Sequence, residues 1–181
     1  MRKALVIGGM AGLLVLTACG GKDDSSTGPA ASKTTAAAAS DPLTLGPDGF
    51  RKLKLGATEA DVKAAGWKIV GDLPGTPACP KTGELVLPNM TVTVSISTKY
   101  GAAAITALAD MHTPEGIKEG SSLADTKKAY PQLTNPTGLP DSGRFETAVP
   151  GNANAKYRIT VSQAKVVGVE LIIGSNDCDP V

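Results

Sequence analysis

The stretch Met90-Thr-Val-Thr-Val-Ser-Ile-Ser97 puts an apolar side chain on every even number and a hydroxyl on every odd one. A period of two is that of a β-strand, whose successive side chains point to opposite faces. One face is then dry and the other wet, which fits an antiparallel sheet covered on one side. The same alternation returns in Tyr157-Arg-Ile-Thr-Val-Ser162. Apolar runs bounded by turn residues add strand candidates over 67–70, 85–87, 102–109, 145–149 and 166–173.

Upstream of each set of strands the chain repeats itself. Lys54-Leu-Gly-Ala-Thr-Glu-Ala-Asp-Val-Lys-Ala-Ala-Gly66 aligns with Lys118-Glu-Gly-Ser-Ser-Leu-Ala-Asp-Thr-Lys-Lys-Ala-Tyr130, identical at six of thirteen positions. Thr58 and Ser122 each precede an aspartate by three residues, the spacing of a capping box with Asp in the place of Glu. Helices are therefore expected over 59–65, stopped by Gly66, and over 123–130, stopped by Pro131. Pro47-Asp-Gly-Phe and Pro114-Glu-Gly-Ile are expected to open a short helical turn ahead of each helix. The sum is an α+β domain over about 45–181, made of two similar halves, 45–110 and 111–181. Each half would be a helix-turn-helix followed by an antiparallel β-meander, with the helices on one face.

Gly-x-(Thr/Ser)-x-x-Asp opening a short helix, then a meander, repeated once, resembles the tandem repeats of β-lactamase-inhibitory proteins. It is also similar to the single repeat of small outer-membrane assembly lipoproteins. The resemblance covers about residues 46–178 and implies a binding protein whose sheet surface meets a partner. Those inhibitors present aromatic contact residues. Here the wet faces carry Thr, Ser and Arg, so no contact residue is carried over.

The N-terminus fixes an expected address. Arg2 and Lys3 precede an apolar run from Ala4 to Ala18, shorter than the roughly 20 residues of a spanning helix and broken by Gly8, Gly9 and Gly12. It reads as a secretory signal. The run closes on Leu16-Thr17-Ala18-Cys19, which resembles the lipobox of bacterial lipoproteins. That resemblance implies cleavage between Ala18 and Cys19 and a diacylglycerol on the Cys19 sulfur, with acylation of the new amino group. Two or three acyl chains anchor stably where one does not, because each buried CH₂ contributes about 0.8 kcal/mol. Residues 19–44 hold one large apolar side chain, Leu43, and read as a flexible tether with a span of about 25–30 Å. Residues 1–18 are thus the signal, 19–44 the lipidated cysteine and linker, and 45–181 the domain. The Ala, Gly and Thr bias points to an actinobacterial source.

Three cysteines are an odd number. With Cys19 as anchor, Cys79 and Cys178 remain as a pair in a compartment that permits disulfides. Neither lies in a Cys-x-x-Cys motif. Removal of residues 1–18 leaves 16 basic against 17 acidic residues, a balance without the electrostatic footprint of a nucleic-acid binder. The single histidine, His112, has no Gly-x-Ser-x-Gly partner motif. Asp177-Cys178-Asp179 lacks the spacing of a calcium loop. No catalytic residue, metal or cofactor is therefore assigned, and Phe50-Arg-Lys-Leu-Lys54 and Lys127-Lys128 read as solvated helix faces ahead of the alternative, contact with anionic lipid or wall polymer. The expectation is a lipid-anchored protein on the extracytoplasmic side of the cell membrane, binding an envelope protein or wall component without catalysis. The alternative is a small-ligand carrier or sensor with a pocket near Trp67 or Tyr157. A β-lactamase inhibitor or an enzyme comes behind both.

Overall fold

The computed structural model describes residues 41–71 and 77–178. The expected signal segment, Ala18, Cys19 and the tether up to residue 40 lie outside these residues. Strands β1 (Leu45–Gly46), β2 (Gly49–Phe50) and β3 (Leu53–Lys54) form a small antiparallel sheet. Helix α1 (Glu59–Ala64) leads into β4 (Lys68–Val70), β5 (Lys81–Leu87), β6 (Met90–Ser97) and β7 (Gly101–Ala107). Helix α2 (Leu123–Ala129) leads into β8 (Gly143–Val149), β9 (Asn152–Ser162) and β10 (Lys165–Ile173). The seven longer strands make one antiparallel sheet in the order β4-β5-β6-β7-β10-β9-β8.

The expected α+β class is overturned. The described residues are 47% strand and 10% helix, with two short helices and no helix-turn-helix in either half. Where Pro47 was read as opening a helical turn, the chain makes the β1-β2-β3 sheet. Gly49 decides this: its φ is +152°, and a Cβ there would run into the backbone of Leu53, an approach that belongs to paired strands. Leu45, Phe50 and Leu53 are each buried as a result. The Pro114 turn is closed instead by Thr113, whose N–H donates to Ile117 O at 2.9 Å and whose Oγ1 accepts from Ile117 N at 3.2 Å.

The repeat is visible in the geometry. Thr58 and Ser122 accept hydrogen bonds from the backbone of Asp61 and Asp125, capping α1 and α2. Gly56 N donates to Ala102 O at 2.9 Å and Ala102 N to Ala57 O at 2.8 Å; Gly120 N donates to Val166 O at 2.8 Å and Val166 N to Ser121 O at 2.9 Å. The segment leading into each capped helix is therefore stitched to the start of the last strand of its own half. Those two strands, β7 and β10, then pair with each other at the middle of the sheet, Ile105 opposite Leu171.

The core lies on one face of the sheet. Val94, Ile105, Leu171 and Tyr157 are aligned across β6, β7, β10 and β9, and all four are fully buried. Helix α1 seats Val62 over Gly83: a Cβ at Gly83 would stand 3.0 Å from Val62 Cγ1 and 2.7 Å from Val94 Cγ1. Tyr157 Oη donates to Leu45 O at 2.8 Å, joining the small sheet to the large one. The Tyr130 ring, at the end of α2, lies 5.8 Å from that of Tyr157. Both helices and the small sheet thus attach through the apolar face.

Candidate functional site

An open cleft of about 400 Å³ sits where the β6–β7 turn meets the start of α1 and of β5. Its walls include Thr58, Glu59, Lys81, Thr98, Lys99 and Tyr100. The turn is held rigidly. Ser97 is buried, and its Oγ accepts both Lys99 N and Tyr100 N at 3.0 Å. Thr98 donates through N and Oγ1 to Ala78 O, at 2.9 and 3.3 Å. Cys79 and Cys178 follow at disulfide distance, Cα atoms 5.3 Å apart and bonded through sulfur. Gly101 closes the turn with φ +69°, and a Cβ there would collide with Ala57 O.

Charge lines this frame. Glu59 bonds Lys63 at 2.8 Å, one helical turn on, and Lys81 at 2.7 Å. The hydrogen bonds from Lys63 and then Lys81 pull its carboxyl down to about 2. Lys99 Nζ lies 4.6 Å from the centre of the Tyr100 ring, a cation–π distance. Hydrogen bonding to the Tyr100 side chain, ahead of the charges of Tyr100 and Asp177, raises the Lys99 ammonium above its ordinary value. The cleft is thus lined by the Lys99 ammonium over an aromatic ring, by the Lys81–Glu59 ion pair and by hydroxyls.

The corresponding place in the second half is filled. The β9–β10 turn, Gln163–Ala164, is one residue shorter than Thr98–Tyr100. Leu123 stands at the repeat position of Glu59, is buried, and donates its N–H to Ala164 O at 2.9 Å. Ala164 N donates to Asp141 O at 2.8 Å and Gln163 N to Ser142 Oγ at 3.2 Å. Turn and helix touch directly in this half, whereas the first half holds them apart.

A second polar surface runs across the sheet's other face. Lys68, Glu84, Thr93, Thr106, Glu170, Arg158 and Glu146 lie opposite one another, one on each of the seven strands. Arg158 reaches Glu146 at 3.5 Å and Glu170 at 3.7 Å, and Lys156 reaches Glu146 at 3.0 Å. Burial pushes the Glu146 pKa up, but Lys156, and then Arg158, more than offset this and leave it lowered.

The residues singled out from sequence do not converge. His112 hydrogen-bonds Thr113 O through Nδ1 at 2.9 Å and lies 3.7 Å from Asp41, away from the cleft. Cys79, Asp177 and Cys178 are clustered closely enough to suit a metal, but the two sulfurs are bonded to each other and offer no thiolate; Asp179 lies outside the described residues. Trp67 and Tyr157 are core side chains, 4% and 0% exposed. Burial, and then the charge of Glu115, raises the Tyr157 hydroxyl far above the usual tyrosine value. The basic run at 50–54 is a β-hairpin, not a helix face. Sequence reading missed Lys81, Lys99 and Tyr100; the signal that would have found their cleft is the charged Glu59 aligned with the apolar Leu123 in the repeat. No protein-family model matches the chain, and neither does any curated protein or solved structure.

Proposed function

We infer that the chain is a lipid-anchored, extracytoplasmic binding module without catalytic chemistry, and that the cleft around Lys81, Lys99 and Tyr100 receives an envelope protein or wall component. The observation that carries the site is the difference between the halves. Caps, strand stitching and core are shared, while the first half alone keeps turn and helix apart with charged residues between them. The halves are alike in how the helix is capped and stitched to the sheet, and they differ at this open place. Lys99 and the net positive Lys63–Glu59–Lys81 cluster favour a partner group that carries carboxylates, and the Tyr100 ring favours a flat or apolar neighbour. The anchor rests on Leu16-Thr17-Ala18-Cys19 and the polar stretch behind it.

Two experiments test the two parts. Cys19→Ala in the full chain is expected to release the protein from the membrane, and unchanged retention would defeat the anchor. A photoreactive residue in place of Thr98 is expected to crosslink one partner in intact envelopes. That adduct is expected to be lost when Lys81 and Lys99 are both replaced by Ala. An adduct of equal yield in the double variant would remove the cleft from the reading.

A further inference from the structure

The turn between β2 and β3 is built from two cations, Arg51 and Lys52, with Lys54 just beyond. All three are exposed. Two-residue hairpin turns favour Gly, Asn or Asp where φ becomes positive, yet Arg51 stands there with φ +53°. That conformation is strained for a side chain of this size. No acid relieves it: among the described residues, Arg51, Lys52 and Lys54 form no ion pair. The acids nearby are engaged elsewhere. Asp41 Oδ1 accepts from Leu43 N at 2.8 Å and its Oδ2 faces His112 at 3.7 Å, while Asp48 Oδ1 accepts from Asn152 Nδ2 at 3.3 Å.

The place of this hairpin is as informative as its charge. Arg51 Nε donates to Pro42 O at 3.2 Å, and Arg51 and Lys54 share an open groove with Asp41, Pro42 and Thr44. The cations therefore stand where the chain from Cys19 enters the domain. We propose that this hairpin docks the domain on anionic lipid headgroups of the bilayer that carries the anchor. The proposal rests on the lipid-anchor reading above. Twenty-one residues lie between Cys19 and Asp41, and at no more than about 3.6 Å each they cannot place the hairpin farther than about 80 Å from the anchor. Three cations close to such a surface shift the docked-to-free ratio by about 100-fold at low salt. Docking would also fix which side of the domain faces away from the bilayer.

The test uses the mature acylated chain reconstituted into vesicles of phosphatidylcholine alone, or of phosphatidylcholine with phosphatidylglycerol. Both carry a small fraction of dansyl-labelled headgroups. Trp67 is the protein's single tryptophan, so energy transfer from it reports how near the domain lies. Transfer is expected to be higher with phosphatidylglycerol and to fall to the neutral level when ionic strength reaches about 1 M, where the Debye length is about 3 Å. The variant Arg51→Asn, Lys52→Gln, Lys54→Gln is expected to show the neutral level at all salt concentrations. Asn accepts a positive φ, so an unchanged melting curve certifies its fold. Equal transfer in both vesicle types, or transfer retained by the variant, would overturn the docking and leave the anchor standing. A chain that does not float with neutral vesicles would overturn the anchor, and the docking with it.

Discussion

Gly83→Ala is a small change at a crowded place. The added Cβ would stand 2.7 Å from Val94 Cγ1 and 3.0 Å from Val62 Cγ1, short of the ordinary 3.5–4.0 Å contact by roughly 0.8 and 0.5 Å. Neither valine can yield easily. Both are fully buried, and β-branching leaves each little freedom at χ1. The sheet is fixed by β4 and β6 on either side of β5, so α1 must lift to clear Val62, while the Val94 contact stays strained within the sheet. Overpacking of this kind costs about 1–3 kcal/mol, and the lower chain entropy of Ala returns about 0.5–1 kcal/mol of it. The expected net loss is about 1–2 kcal/mol, read from urea unfolding of the full chain. Val62→Ala removes one of the two colliding methyl groups, so the double variant is expected to lose less than the sum of the singles, with a coupling of about 1 kcal/mol. Additivity to within about 0.5 kcal/mol would refute the reasoning, because it would mean that α1 is not seated on Gly83. Glu59 rides on the same helix, so Gly83→Ala is also expected to weaken partner crosslinking at the cleft.

Three further outcomes follow from the geometry. Replacing Cys79 and Cys178 by Ala opens a link of 99 residues and is expected to lower stability by up to about 4.7 kcal/mol by chain entropy; a loss under about 1 kcal/mol would show that the bond constrains the unfolded chain far less than this. Tyr157→Phe removes the donor to Leu45 O and is expected to cost about 1–2 kcal/mol, with an unchanged melting curve as the contrary result. The Glu59 carboxyl is expected to titrate by NMR near 2 instead of 4.5. Because its folded value is the lower one, its contribution is complete above the unfolded value and is lost as pH falls towards 2; a midpoint above 4 in the folded protein would break the Lys63–Glu59–Lys81 cluster.

Much of the large sheet can be read from the sequence because its strands are long enough to show a period. Met90–Ser97 alternates and forms β6 over those residues, although a register shift at Ser95/Ile96 buries both Ile96 and Ser97. The caps at Thr58 and Ser122 were legible because capping chemistry is local. The small sheet was not, since strands of two residues have no period, and Pro47-Asp-Gly-Phe suits a helical turn as well as a hairpin. What separates the two is the close approach of Gly49 to Leu53 together with the long-range bond of Tyr157 to Leu45, neither of which a local motif encodes. Helix content was overestimated for the same reason: a proline and a glycine mark a turn without naming its kind. The cleft draws on three separated segments, 56–59, 80–81 and 96–101, so no single motif holds it. In the repeat, the charged Glu59 aligned with the apolar Leu123 is the disagreement that falls at its position.

The order β7-β10-β9 places the last strand of the sheet in its interior, between one strand from each half. A chain that ended before Lys165 would therefore lack a central member, and β7 and β9 would each expose an unpaired edge. The pairings that complete the sheet join residues far apart in sequence, Ile105 with Leu171 among them, and contacts of that kind form slowly. Assembly of the sheet thus waits for the final strand to emerge. Completion of the sheet is thereby tied to β10 and not to either half alone.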